Sequence, residues 1–209
     1  CIPFEGLEPE EFQRRWIPVE GLEPDELQRR KNRAREAYRF ILLRASEFQG
    51  QGADGIDVLV ICQQALEQHL LELGLPDNVE VAHFNATRGI DRWGDVRCLM
   101  LIGRTLPPPV DVEVLTENLT GWAVEKVRDG NWYPRQSAGV DVGNGVGLSV
   151  QGEQHSDPMV EAVRWQICEA ELIQCGGRGR GVNRSAETPL QLDVLSNVCL
   201  PMEVSQPVR

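Results

Sequence analysis

The spacing of apolar residues along this chain switches between two periods, and the switches divide it into elements. From Asp25 to about Phe48, Ala37, Phe40, Ile41 and Ala45 recur at helical spacing among charged residues, which predicts an amphipathic helix. Gln49-Gly-Gln-Gly-Ala-Asp-Gly55 is rich in breakers and reads as a linker. Ile56–Cys62 then runs apolar without alternation, the pattern of a short strand covered on both faces. Ala65, Leu66, Leu70 and Leu73 predict a helix from Gln63 that Gly74 ends. Val79–Phe84 reads as a second strand and Arg97–Gly103 as a third.

Thr105-Leu-Pro-Pro-Pro109 interrupts this alternation, and a short helix is expected from Asp111 to about Leu119. Val140–Val150 alternates around Asn144-Gly145. An Asn-Gly pair tolerates the two positive φ values of a type I′ turn, so an antiparallel hairpin is predicted. Asp157-Pro158 opens a helix on which Met159, Val163, Ile167, Ala170 and Ile173 line one face, ending near Gln174 or Cys175 before Gly176-Gly177. Leu190–Leu195 reads as a last strand, and the segment after Pro201 as a loose tail. Strands alternating with helices predict an α/β fold, with a mostly parallel sheet and helices on both faces. The expected domains are a helical arm over 1–50, one α/β domain with an inserted hairpin over 56–200, and a tail over 201–209.

The arm carries a duplication: Ile2–Arg15 recurs as Ile17–Arg30, a period of 15 residues. Two short copies cannot stack into a solenoid. Each reads as a turn that opens a helix with proline and acidic residues in its first turn, so an arm packed on the core is expected.

Composition narrows the function classes. With 209 residues and 41% hydrophobic content the chain can bury one substantial core. No run of about 18 apolar residues occurs, so no membrane span is expected. Cys1-Ile-Pro-Phe-Glu shows neither a basic nor an apolar leader pattern, and no initiator Met, which suggests a fragment or a processed chain. The six cysteines are widely spaced with no C-x-x-C, as expected of buried thiols in a reducing cytoplasm. His69, His83 and His155 are scattered, so no metal site is expected, and His83 reads as structural. The net charge of −11 argues against a generic nucleic-acid coat. It leaves room for one narrow cationic face. That face must be built from arginine, because only two of the 21 basic residues are lysines, Lys31 and Lys126.

Two segments carry candidate chemistry. Gln174-Cys-Gly-Gly-Arg178-Gly-Arg180-Gly181 places arginines on a glycine-rich turn at a helix end. A guanidinium there can reach a γ-phosphate with a planar fork of donors, a contribution of about 10³ to 10⁵ in rate in nucleotide hydrolases generally. The alternatives are a surface turn with solvated arginines, or a short RGG-like RNA-binding tract. Asn85-Ala-Thr87-Arg88-Gly89-Ile90-Asp91 follows a strand, at the position where parallel sheets place ligands. Gly89 allows close backbone approach, Asn85 and Thr87 offer polar groups to phosphate, and Asp91 can accept from a ribose hydroxyl. The alternative is a helix start with Asn85 as its cap. The glycines of the predicted hairpin do not form G-x-G-x-x-G, which excludes a dinucleotide fingerprint, and no Cys or His nucleophile constellation is present.

In this order, with strands between them, Val81–Arg104 and Gln174–Arg184 resemble motifs V and VI of the C-terminal RecA-like domain of superfamily 2 helicases, as found in bacteria, phages and plasmids. The resemblance spans roughly Ile56–Leu200. It implies Asn85, Thr87, Arg88 and Gly89 near a nucleic-acid backbone, Asp91, Gln174 and Gly177 near ATP, and Arg178 and Arg180 at the γ-phosphate. The family spacing is Q-x-x-G-R-x-x-R. Here Gly181 occupies the last slot and the second arginine comes one residue early, with Arg184 a third candidate. No G-x-x-x-x-G-K-S/T and no D-E-x-D or D-E-x-H occurs. ATP and Mg²⁺ are therefore expected on a separate N-terminal ATPase domain or partner chain, with nucleic acid, DNA above all, as the other partner. The expected function is the second half of a cytoplasmic ATP-dependent helicase or translocase. The alternative is a non-catalytic nucleic-acid or protein binding module derived from one.

Overall fold

The computed structural model describes residues 24–52, 55–128, 131–143 and 145–206. The first copy of the duplication, the first half of the second, and Asn144 of the predicted turn lie outside the described residues. The chain divides into two compact units where the sequence pattern suggested one domain over 56–200. The first runs to Gly103 and resumes over Cys175–Leu195, and the second is Arg104–Gln174 with the residues from Ser196 onward.

The first unit is an α/β layer. Helix α1 is Pro24–Glu47, strand β1 Val58–Cys62, helix α2 Gln64–Leu73, strand β2 Val79–His83, strand β3 Cys98–Ile102 and, after the intervening unit, strand β6 Gln191–Leu195. The four strands are all parallel in the order β2-β1-β3-β6, with Val58 opposite both Val79 and Cys98, and Cys98 opposite Gln191. β1 and β3 are central, and every residue of both is buried, which is why their sequences run apolar without alternation. Alternate residues serve opposite faces. Val58, Val60, Cys62, Cys98, Met100 and Ile102 pack with Ala37, Ile41 and Ala45 of α1 and Leu70 of α2. On the other face, a Cβ built at Gly176 would lie 4.0 Å from Leu101 and 3.9 Å from Leu192, so Gly176, the last residue of helix α5 (Glu169–Gly176), lies close over the sheet. The stripe read from the sequence on α1 is the buried one, and Arg44 beside it binds Asp193 of β6 through Nε at 2.6 Å and Nη2 at 3.2 Å.

The residue before β1 anchors its entry. Asp57 is buried and accepts from Gly50 N at 2.8 Å, Gly52 N at 2.5 Å and Asn78 Nδ2 at 2.7 Å. Asn78 also donates to the Ala45 carbonyl at 2.9 Å, which joins α1, the linker and the β2 entry through one carboxylate. At this junction a glycine is required: a Cβ at Gly52 would stand 2.2 Å from the Ile56 carbonyl oxygen.

His69 on α2 is 1% exposed, and burial pushes its pKa down to about 4. The neutral ring is thus favoured in the folded state. The corresponding stability is complete above the unfolded value of roughly 6.5 and is lost as pH falls from there toward about 4. Between pH 7 and pH 5 the loss should be about 1–2 kcal/mol, allowing for residual solvent screening. Denaturant titrations across this range should show that slope in the parent chain and a flatter one in His69→Leu. An unchanged slope would refute the assignment.

The second unit contains α3 (Pro109–Thr120), an antiparallel hairpin of β4 (Arg135–Asp141) and β5 (Gly147–Glu153), α4 (Pro158–Ile167) and most of α5. Proline at the first helical position lets α3 begin at Pro109, earlier than its apolar pattern suggested. The hairpin is longer than the alternating stretch that predicted it. Val112, Tyr133 and Val160 form the core here, with Val163 and Ile167 packed against it.

Two expectations fail in this unit. The single helix from Asp157 to about Cys175 is broken at Cys168. The Thr105 hydroxyl donates to the Ile167 carbonyl at 3.2 Å and competes for an acceptor of the helical ladder, a recognised cause of a bend. The buried face is also shifted. Val160 and Arg164 are buried whereas Met159 is 37% exposed, because the face packs around a buried arginine that an apolar count skips. The tail is not wholly loose either: Val204 N donates to the Asp141 carbonyl at 2.7 Å.

Among the described residues the cysteines are free, and Cys62, Cys98, Cys168 and Cys175 are buried. Burial pushes the Cys168 thiol up to about 11 and the Cys98 thiol up to about 12, so neither is an activated nucleophile. No helix among the described residues is long and apolar enough to cross a membrane.

Candidate functional site

The two candidate segments lie against each other in the first unit. The connection from β2 to β3 contains no helix, which rules out the reading of Asn85 as a helix cap. Instead it descends through turns from the carboxyl end of β2 to the start of β3. Phe84 N bonds the Cys62 carbonyl at 3.0 Å, Ala86 N the His83 carbonyl at 3.2 Å and Ile90 N the Thr87 carbonyl at 3.3 Å. Asn85 sits at φ 67°, a region asparagine tolerates better than most residues, and Gly89 at φ 75°. Buried Phe84, Thr87, Trp93 and Val96 pin this connection.

The segment after α5 runs beside it in the same direction. The Thr87 hydroxyl lies 3.7 Å from Cys175 Sγ, Arg178 Nη1 donates to the Ile90 carbonyl at 3.4 Å, and Arg180 forms an ion pair with Asp91. Last, Arg184 Nη2 donates to the carbonyls of Gly94 at 2.6 Å, Val96 at 2.7 Å and Gly179 at 2.9 Å. Two glycines let side chains pack closely here. A Cβ at Gly94 would fall 2.9 Å from Arg180 Cδ, and one at Gly179 would fall 2.6 Å from Leu190 Cδ2.

These contacts sort the predicted residues. Arg184 is structural: its fork is spent on backbone carbonyls, and burial followed by the nearby Arg97 charge lowers its pKa, with Asp95 opposing. Thr87, expected at a phosphate, is 1% exposed with its hydroxyl turned to Cys175. Asp91, expected at a ribose, is engaged by Arg180. Arg178 is half-buried, and its Nε is buried without a hydrogen-bond partner. Asn85, Arg88 and Gly89 are exposed, and open space surrounds the position of a Gly89 Cβ. Gly177 is exposed where the first 3₁₀ turn starts. Gln174 is exposed and falls in the second unit.

Charge is concentrated along the seam. The segments 85–97 and 175–184 together hold six arginines (Arg88, Arg92, Arg97, Arg178, Arg180 and Arg184) against two aspartates, Asp91 and Asp95, in a chain of net charge −11. Arg92 also pairs with Glu80 and lies 5.3 Å over the Trp93 ring. This arrangement can receive an anion such as a phosphate. The Trp93 anchor and the Thr87–Cys175 contact were missed in the sequence. An aromatic residue in a polar stretch was the only available signal for the former, and nothing marked the latter.

Comparison with protein-family models, curated proteins and solved structures found no match for this chain.

Proposed function

We propose that the parallel-sheet unit is the C-terminal, RecA-like half of a superfamily 2 nucleic-acid helicase or translocase, supplying arginines to a bound ATP and contacts to a nucleic-acid backbone. The observation that carries this reading is the seam, which brings Arg178 and Arg180 beside the turn at the carboxyl end of β2. Arg178 fits a phosphate group: its side chain is only half-buried, and Nη1 makes a long contact of 3.4 Å to the Ile90 carbonyl that a phosphate can displace. Arg180 fits after releasing Asp91, an exposed pair of small energetic weight. Asn85, Arg88 and Gly89 present the exposed surface for a strand backbone, with DNA as the favoured polymer. ATP with Mg²⁺, held by a separate ATPase domain or partner chain, supplies the free energy of the cycle. Thr87 and Arg184 act by holding the two segments in register.

The Arg180–Asp91 pair favours a second reading, a binding module that keeps the grip without catalysis, since in this arrangement the arginine is neutralised. Binding of a short fluorescent single strand at low salt tests what both readings share. The chain should bind with strong salt dependence, and Arg88→Ala should weaken binding about 5–10-fold and reduce the magnitude of the log–log salt slope by about 0.7. No binding of DNA or RNA at low salt overturns both readings. The purified chain should not turn over ATP, and measurable turnover contradicts the division of labour proposed here.

A further inference from the structure

The hairpin of the second unit leaves one edge open. Its strands β4 and β5 form a sheet of two strands only. Val142 N donates to the Val146 carbonyl at 3.0 Å and Gln154 N to the Pro134 carbonyl at 3.1 Å, so these facing pairs are hydrogen-bonded ones. Such pairs recur at every second residue of an antiparallel ladder. In the register that runs from Arg135 opposite Glu153 to Asp141 opposite Gly147, the residues between them turn their backbone N–H and C=O groups outward. On β4 the outward row is Arg135, Ser137, Gly139 and Asp141, and on β5 it includes Gly147, Ser149 and Gln151. The β4 row carries a charge at each end, and Val204 N donates to its Asp141 carbonyl at 2.7 Å. Gly147, Ser149 and Gln151 carry neither charge nor proline, and all three are exposed. Gly147 has no side chain, so its exposure is that of the backbone itself. Among the described residues β5 pairs with β4 alone.

Sheets protect an open edge with charge, proline, a bulge or a covering segment, and a two-stranded ribbon is marginal by itself. The β4 edge has such protection and the β5 edge has none. We propose that β5 pairs edge to edge, antiparallel, with β5 of a second copy of this chain, giving one four-stranded sheet across a two-fold axis at Ser149. Ser149 is the midpoint of the open row. An axis there sets Gly147 opposite Gln151 of the other copy on the exposed face, and Leu148 opposite Val150 on the half-buried face. Glu153, the one charged residue of β5, falls opposite Gly145, so no like charges meet. The row is therefore complementary to itself, as a two-fold contact requires, which favours a second copy over a strand of another protein. The edge lies within the second unit and uses none of the arginines of the seam, so it stands or falls separately from the motor reading.

Sedimentation velocity of the intact chain and cysteine cross-linking test the proposal. One short strand pairing is a small interface, so a dissociation constant of about 10–300 µM is expected. Ser149→Pro removes an outward N–H without touching the β4 ladder and should weaken association at least about tenfold. Ser149→Lys keeps the backbone donor but sets two ammonium groups opposite each other. It should weaken association as well, and covers the case in which proline disturbs the hairpin. Facing hydrogen-bonded residues have Cα atoms about 5.5 Å apart, within disulfide range. Ser149→Cys should therefore form an intermolecular disulfide on mild oxidation, whereas Ser137→Cys, on the protected edge, should not. A parent chain that stays monomeric up to about 500 µM overturns the proposal. It is equally overturned by a dimer that survives both Ser149→Pro and Ser149→Lys, or by equal cross-linking of Ser149→Cys and Ser137→Cys.

Discussion

Asp57→Ala should destabilise the protein by about 3–5 kcal/mol, the cost of leaving several buried donors without their acceptor. The donors are Gly50 N, Gly52 N and Asn78 Nδ2, all within 2.8 Å of the carboxylate. Two of them fix the linker between α1 and β1, and the third ties the β2 entry to the same point, so three chain segments lose their common anchor. Asp57→Asn should recover only part of the loss, because it exchanges one acceptor for a donor facing other donors. The charge state gives an independent check. Burial alone would raise the Asp57 pKa, but the Asn78 amide and the backbone N–H groups of Gly52, Gly50 and Gln51 outweigh it and hold the carboxyl below its ordinary value. Its contribution is therefore complete above the unfolded value of roughly 4 and disappears as pH falls through the lower folded value. Urea titrations should show a large gap between parent and Asp57→Ala at neutral pH that closes in strong acid. A gap below about 1 kcal/mol at neutral pH would mean that this junction is not an anchor.

Arg184→Ala should cost about 2–4 kcal/mol, whereas Arg180→Ala should cost less than about 1. The two residues lie four apart on the same seam, and a sequence gives no reason to separate them. Arg184 reaches three backbone carbonyls, so its removal strands acceptors at Gly94, Val96 and Gly179 and frees the descending connection from the α5 segment. Arg180 is 43% exposed at its side chain and pairs with an Asp91 that is 80% exposed. Lysine should not rescue position 184, because an ammonium group cannot reproduce the planar fork. If the two alanine variants unfold at the same urea concentration, Arg184 does not hold the two segments together, and its separation from Arg180 as a structural arginine falls with it. Nucleic-acid binding measured on the same variants, kept well below their unfolding midpoints, shows whether register along the seam matters to the exposed turn.

The parallel sheet was legible because β1 and β3 are covered on both faces, which leaves runs such as Val58–Cys62 and Cys98–Ile102 with no polar residue. The hairpin was legible from strict alternation on an exposed ribbon. The break at Cys168 was not, because it arises from the Thr105 hydroxyl, more than sixty residues earlier in the chain. Nor was the buried face of α4, where Arg164 occupies a core position with its charge absorbed by Glu161 and Glu169. Periodicity detects apolar burial and is blind to a buried ion pair.

The same division holds at the candidate site. Local composition alone placed arginines on a glycine-rich turn and a small polar turn after β2, since both depend on short-range backbone requirements. Which arginine is held by carbonyls, which by a carboxylate and which keeps an unpaired nitrogen depended on two segments almost ninety residues apart lying side by side. That contact exists because parallel strands β3 and β6 bring the ends of both segments to one edge, with Arg97 O receiving Gln191 N at 2.8 Å. Patterns within a few residues are dictated by backbone sterics and solvent exposure. The use of each guanidinium is decided by partners that only the folded chain brings within hydrogen-bond range.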